Sequence, residues 1–242
     1  MNPRARRWIV TVVALATALL CARLGLWQLD RAQQKRALQA AIDTRSRLPP
    51  LAQSQLARSA EAAATQHYRP VRLHGRWLAE RTVYLDNRQM NGHPGFFVVT
   101  PLLLGPNDAV LVQRGWVPRN FENRTALPPV ATPGGEVDLL GRVAPPPARL
   151  FDFAGGASGP IRQNLDLADF SREAGVALRP LSVQQLNAGS ATPGDTLQRD
   201  WLQPAVDIDK HLGYAFQWFA FSGLVTGLYV WFQLLRPRLR QR

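Results

Sequence analysis

Two apolar runs bracket this chain, and a long stretch of short alternating patterns lies between them. The first run, Trp8 to Leu29 (WIVTVVALATALLCARLGLWQL), holds one charge, Arg23. Trp8 and Trp27 are separated by roughly 28 Å of helix, close to the thickness of a hydrocarbon core, and both rings suit the interfaces. Arg23 falls about one turn inside, near enough to snorkel. Ala14-Leu15-Ala16 and Ala16-Thr17-Ala18 match a signal-cleavage pattern, but the apolar run continues past both, which favours an uncleaved anchor. The second run, Leu212 to Leu235, has 24 residues and no charge. As a helix it measures about 36 Å, enough to span a bilayer.

Between the runs the period changes. Residues 30–47 are rich in helix formers, so the first helix is expected to continue past its apolar part and stop before Pro49-Pro50. Residues 51–66 read as a second short helical or loose stretch. From His67 onward, YRPVRLHGRWL, RTVYLDNR, GFFVVTPLLL, AVLVQRGWVPR and EVDLLGRV are β-rich runs divided by turn residues. VRLHGRW alternates as a half-buried strand does. FFVVTPLLL reads as a strand buried on both faces, with a break or bulge at Pro101. Residues 89–94 and 105–108 read as turns, and Leu167 to Ala174, opened by Asp166, as a short helix. Residues 145–160 and 187–195 read as loops. The spacing predicts a curled or barrel-like antiparallel sheet, hence a mainly β (α+β) domain between two transmembrane helices.

Charge sharpens the picture. Of 242 residues, 29 are basic and 17 acidic, a net charge of +12. Much of the excess sits at the ends, in Arg4, Arg6 and Arg7 and in Arg236, Arg238, Arg240 and Arg242, each set abutting an apolar run. That distribution fits a membrane protein and argues against a nucleic-acid groove. With Asp207, Asp209 and Lys210 before the second run, the positive-inside bias puts both termini in the cytoplasm. Arg31, Lys35 and Arg36 pull the other way, but weakly when a long domain is translocated. Without an amphipathic Arg/Ser-rich presequence, the expected address is a bacterial inner membrane with a periplasmic main domain. The expected division is a cytoplasmic N-terminus (1–7), a first span (8–29), a helical connector (30–66), a β-rich domain (67–210), a second span (211–235) and a basic cytoplasmic tail (236–242).

Candidate chemistry is sparse. One cysteine, Cys21, excludes an intrachain disulfide and a Cys-rich zinc site. Gly156-Ala157-Ser158-Gly159-Pro160 misses the nucleophile-elbow pattern, and H-E-x-x-H, Walker A and dinucleotide motifs are missing from the sequence. No catalytic residues are assigned, and an enzyme is not expected. His211 opens the second apolar run, with Tyr214, Trp218 and Phe221 on its helix face. An imidazole beside aromatic rings offers haem an axial ligand and an apolar wall; the plainer reading of the same residues is an interfacial histidine above an aromatic belt. Arg23, Trp27, Arg31 and Lys35 recur at every fourth position on the first helix. They suit either haem propionates or lipid headgroups, with Arg23 and Arg31 packed on Trp27. Gly223 and Gly227 form a small-xxx-small face suited to packing the spans together or onto a partner.

Several of these stretches resemble motifs of the surfeit-locus-one family. They are Leu24-Gly25-Leu26-Trp27-Gln28-Leu29-Asp30-Arg31 with Lys35, Glu80 to Arg88, Gly95 to Leu102, Val112 to Pro118, and His211 to Phe219. They follow the family's order from about residue 8 to 235, with loose matching between 180 and Trp201. The resemblance implies a membrane assembly factor for haem-copper cytochrome c oxidase, helping haem a reach subunit I, with that subunit and the haem a synthesis or insertion machinery as partners. It also implies His211 as the haem-iron ligand; the helix-face and basic-stripe readings above then put Tyr214, Trp218, Arg23, Trp27 and Arg31 around the haem. Gly75, Gly95 and Gly115 are expected to fit backbone in strands and turns, and Arg114-Gly115-Trp116 to be either core framework or partner surface. The alternative function is a membrane scaffold for oxidase subunits that binds no haem; a membrane-tethered hydrolase is a third.

Overall fold

Helix α1 runs from Pro3 to Ser46, carrying the first apolar run and the helix-forming segment after it as one element. It ends just ahead of Pro49-Pro50, where the chain can no longer donate the helical hydrogen bonds. In the computed structural model, residues 2–120, 127–151, 158–187, 194–201 and 208–239 are described. Parts of the two long loops, Asp207, Arg240 and Arg242 lie outside the described residues. The chain divides into two units, one of residues 1–41 with 204–242 and one of residues 42–203.

The second unit is the β domain. A short 3-10 turn at Gln53–Gln55 and helix α2 (Ala60–Gln66) lead into it. The strands are β1 (Pro70–Trp77), β2 (Val83–Met90), β3 (His93–Gly105), β4 (Asp108–Pro118), β5 (Glu136–Ala144), β6 (Ile161–Arg162) and, after helix α3 (Leu167–Ala174), β7 (Leu178–Gln185). The sheet order is β1-β5-β7-β4-β3-β2-β6, and β1 also pairs with β3. Strands β1, β5, β7, β4 and β3 therefore close into a ring, with β2 and β6 extending from β3. The inward residues of every ring strand meet in one core cluster that includes Leu73, Trp77, Leu102, Val110, Val112, Leu139, Val143, Leu181 and Val183. On the other face, Val83, Leu85, Val99 and Leu111 pack under Phe170 of α3. Asp166 caps α3 as expected, accepting from the backbone N–H groups of Ala168 and Asp169 at 2.9 and 3.2 Å.

Three details depart from the expectations drawn from the sequence. The sheet is not purely antiparallel, because β4–β7 and β2–β6 are parallel. The register shift in the first part of β3 falls between Val98 and Val99, not at Pro101. Pro101 sits where β3 changes neighbours. Pairing with β2 ends at Val99, and pairing with β1 begins at Leu102. A residue lacking an N–H is tolerated at such a gap, while its carbonyl accepts from Leu78 at 3.0 Å. Finally, the turn expected over residues 89–94 contracts to Asn91-Gly92, both at positive φ, as a tight hairpin requires.

Candidate functional site

The first unit is built on α1 and on helix α4 (Ile208–Tyr229), which continues through a π-helical stretch at Val230–Leu235 into α5 (Arg236–Leu239). The helices Arg4–Ser46 and Ile208–Leu235 are long and apolar enough to cross a membrane. Along α1, small or short residues recur at helical spacing at Thr11, Ala14, Ala18, Cys21 and Gly25, and this face meets α4. Thr11 and Tyr229 share a hydroxyl hydrogen bond of 2.9 Å. Ser222 donates to the Ala18 carbonyl at 2.9 Å. A Cβ on Gly25 would stand 2.8 Å from the Phe219 ring, so the missing side chain sets the approach. The contacts run in opposite directions along the two sequences, so the pair is antiparallel. Close backbone approach through small residues is how helices associate where water gives no hydrophobic drive.

The last contact in this series carries the chemistry. His211 Nδ1 lies 2.7 Å from Gln28 Oε1, and both side chains are half-buried. Gln28 falls inside one of the family-like motifs, yet nothing in the sequence pattern assigns it a role at the site. A polar side chain near the end of an apolar span is the one signal it gives. The flanking residues are arranged differently. Tyr214 is 51% exposed, and Trp218 is half-buried with its ring 6.2 Å from Phe221 in an edge-to-face contact. Trp27 is 48% exposed. The Arg31 guanidinium lies 5.8 Å from the Trp27 ring centroid and donates to Gln34 at 3.0 Å. Arg23 is exposed on α1. The helix pair thus joins His211 directly to Gln28, and Arg31 to Trp27. The Tyr214 and Trp27 rings stay open on the outer surface.

The Arg-Gly-Trp motif of β4 belongs to the framework. Val98 pairs with Gly115 and Val99 with Gln113, which leaves Arg114 as the extra residue of a bulge. Arg114 is 2% exposed, stacks 4.6 Å over Trp77, and donates to Thr132 Oγ1 at 2.7 Å and the Ala131 carbonyl at 2.6 Å. Burial pushes its guanidinium down to about 10. Trp116 is also 2% exposed and donates from Nε1 to the Arg88 carbonyl at 3.0 Å. Arg179 is anchored by Asp108 at 2.9 and 2.8 Å, and this hydrogen bonding holds the Asp108 carboxyl below its ordinary range. His74 sits exposed on β1 between Asp138 and Glu136 of β5, whose hydrogen bonds raise its pKa. His67 is shifted down by burial and by Arg45. Among the described residues, no three His, Cys, Asp or Glu side chains gather to hold a bare metal ion.

The chain thus combines a pair of apolar helices, each long enough to cross a membrane, with a small closed β domain. The model of the SURF1 family matches residues 15–223, most of the chain, and the chain belongs to that family. A SURF1-like protein of Rickettsia bellii is 25% identical over 235 residues, covering 96% of this chain and 92% of that one. A SURF1-like protein of Drosophila melanogaster is 27% identical over 237 residues, covering 89% and 74%. The cytochrome oxidase assembly protein SHY1 of Saccharomyces cerevisiae is 29% identical over 110 residues, covering 45% of this chain and 28% of that protein.

Proposed function

We propose that this chain is a membrane-anchored assembly factor for haem-copper cytochrome c oxidase that handles haem a at His211 on its way to subunit I. Family membership and the likeness to the yeast assembly protein support the general role. One observation carries the haem step: a half-buried imidazole, with one ring nitrogen already engaged by Gln28, at the start of an apolar helix. The single imidazole suits haem rather than a bare ion, since haem brings nitrogen ligands of its own and would need only His211 from the chain. His211 would hold the iron, Tyr214 and Trp218 would offer apolar surface to the macrocycle, and Arg23, Trp27 and Arg31 would form a basic, aromatic stripe for its propionates at a wet interface. Bound haem brings redox and ligand-binding chemistry; the chain's part is to hold, orient and release it. In this reading both helices span a bacterial inner membrane, with the β domain on the periplasmic side and both termini in the cytoplasm.

The test is the haem-to-protein ratio and absorption spectrum of wild type and His211→Ala, purified in detergent from cells that make haem a. The variant should insert and accumulate normally, since Ala is a good helix former and the anchor is intact. It should lose most of its haem but not all, because apolar contact persists. Arg23→Ala or Arg31→Ala should lose less, as exposed ion pairs contribute little. An unchanged ratio in His211→Ala removes the ligand assignment. Wild-type protein without haem favours a scaffold for oxidase subunits instead.

A further inference from the structure

We infer that Gln28 is the positioning residue for His211, selecting its tautomer so that Nε2 is left as the free nitrogen donor. The inference rests on the haem reading for its purpose, but not for its geometry. A neutral imidazole carries one N–H, and an amide oxygen can only accept. With Gln28 Oε1 at 2.7 Å from Nδ1, the proton sits on Nδ1 and the lone pair on Nε2. An unconstrained histidine side chain in water favours the opposite tautomer, so the amide has something to select.

The surroundings make this contact specific. Gln28 ends the row of small residues by which α1 meets α4, beginning at Thr11–Tyr229 and passing through Ala18–Ser222 and Gly25–Phe219. Those contacts fix the register that sets Gln28 opposite His211. Both groups are half-buried, where a hydrogen bond is stronger than in water and an unpaired amide or ring N–H is costly. Histidines that ligate metals are commonly oriented in this way by an acceptor on the other ring nitrogen. An amide is a weaker acceptor than a carboxylate, so it orients the ring while adding less basicity to Nε2. A ligand that must later release its iron is better served by that weaker push.

The experiment uses the full chain in detergent with 15N-labelled histidine, as wild type, Gln28→Leu, Gln28→Glu and His211→Ala. The His211 signals are those missing from His211→Ala. In haem-free wild type they should report the Nδ1-protonated tautomer, and in Gln28→Leu the Nε2-protonated form should become the major one. An Nε2-protonated wild type, or a tautomer unchanged by Gln28→Leu, overturns the inference whatever haem does. Ferric protoporphyrin IX is then titrated into each protein. Gln28→Leu should weaken binding by about 10-fold or more. Gln28→Glu should retain binding and lower the midpoint potential of the bound haem. Equal affinity in wild type and Gln28→Leu, with loss in His211→Ala, also overturns it. Equal affinity in wild type and His211→Ala overturns the haem reading instead, and the tautomer spectra still decide the role of Gln28.

Discussion

Trp116 shows how much one side chain does in the β domain. Its ring lies across Gly95, where a Cβ would stand 2.5 Å from it, and its Nε1 hydrogen satisfies the Arg88 carbonyl. Trp116→Ala would leave a cavity and an unpaired buried carbonyl together, at a cost of about 3–5 kcal/mol. The expected outcome is a lowered unfolding midpoint in detergent and depletion of the protein from membranes. Normal abundance and stability with a loss of oxidase activity would instead make Trp116 a partner contact. The sequence offers core and partner surface as equal readings of this motif, and burial separates them. The alternation expected across VLVQRGWV is broken at Arg114, where the bulge resets the faces. A hydrophobic pattern carries no signal for an inserted residue, although Gly115 directly after it is the kind of residue that accompanies one. Gln28 is hidden from the sequence for a different reason: its partner lies 183 residues away along the chain.

At the scale of elements, local periodicity is legible and long-range pairing is not. Strand β1 has the alternating burial that VRLHGRW predicts. Strand β7 does not stand out among the β-rich runs, because Pro180 interrupts LRPLSVQQ. The structure accommodates the proline by a register shift, pairing Ala109 with Leu178 and then Leu111 with Ser182. Of the two readings of the Gly223–Gly227 face, packing of the spans against each other is not the one seen. Gly223 and Gly227 have open space around them, and the small residues of α1 make the contact. Ring closure depends on Gly75, whose Cβ position is occupied by the Leu103 carbonyl where β1 meets β3. Gly75→Val must push the two backbones apart, so it should cost about 3 kcal/mol, the upper end for an overpacked site. A Cβ added at Gly105 would meet nothing within 4 Å, so Gly105→Ala should stay within about 0.5 kcal/mol of wild type. Unfolding midpoints of the two variants against wild type check the contrast, and a neutral Gly75→Val would mean that β1 and β3 need not close.

For the whole molecule, packing and charge together predict which way it would face in a membrane. The contact series from Thr11–Tyr229 to Gln28–His211 runs antiparallel, so the start of α1 and the end of α4 emerge at the same end of the pair. Co-sided termini therefore follow from packing, independently of charge. The positive-inside bias then predicts the side. Arg4, Arg6 and Arg7 precede the first apolar run, and Arg236 and Arg238 follow the second. The opposing Arg31, Lys35 and Arg36 stand next to a long domain, beyond the loop lengths at which charge has much influence on translocation. The expected topology places residue 242 in the cytoplasm and the β domain across the membrane from it. An alkaline phosphatase fusion after residue 120 should be active and one after residue 242 inactive, with the reverse for a cytoplasm-dependent fluorescent reporter. Phosphatase activity at residue 242 and none at residue 120 would invert the molecule. It would also move His211 and Gln28 to the cytoplasmic face, so haem would have to be met from that side. Activity at both positions would break the antiparallel pair itself, and with it the register on which the Gln28–His211 contact depends.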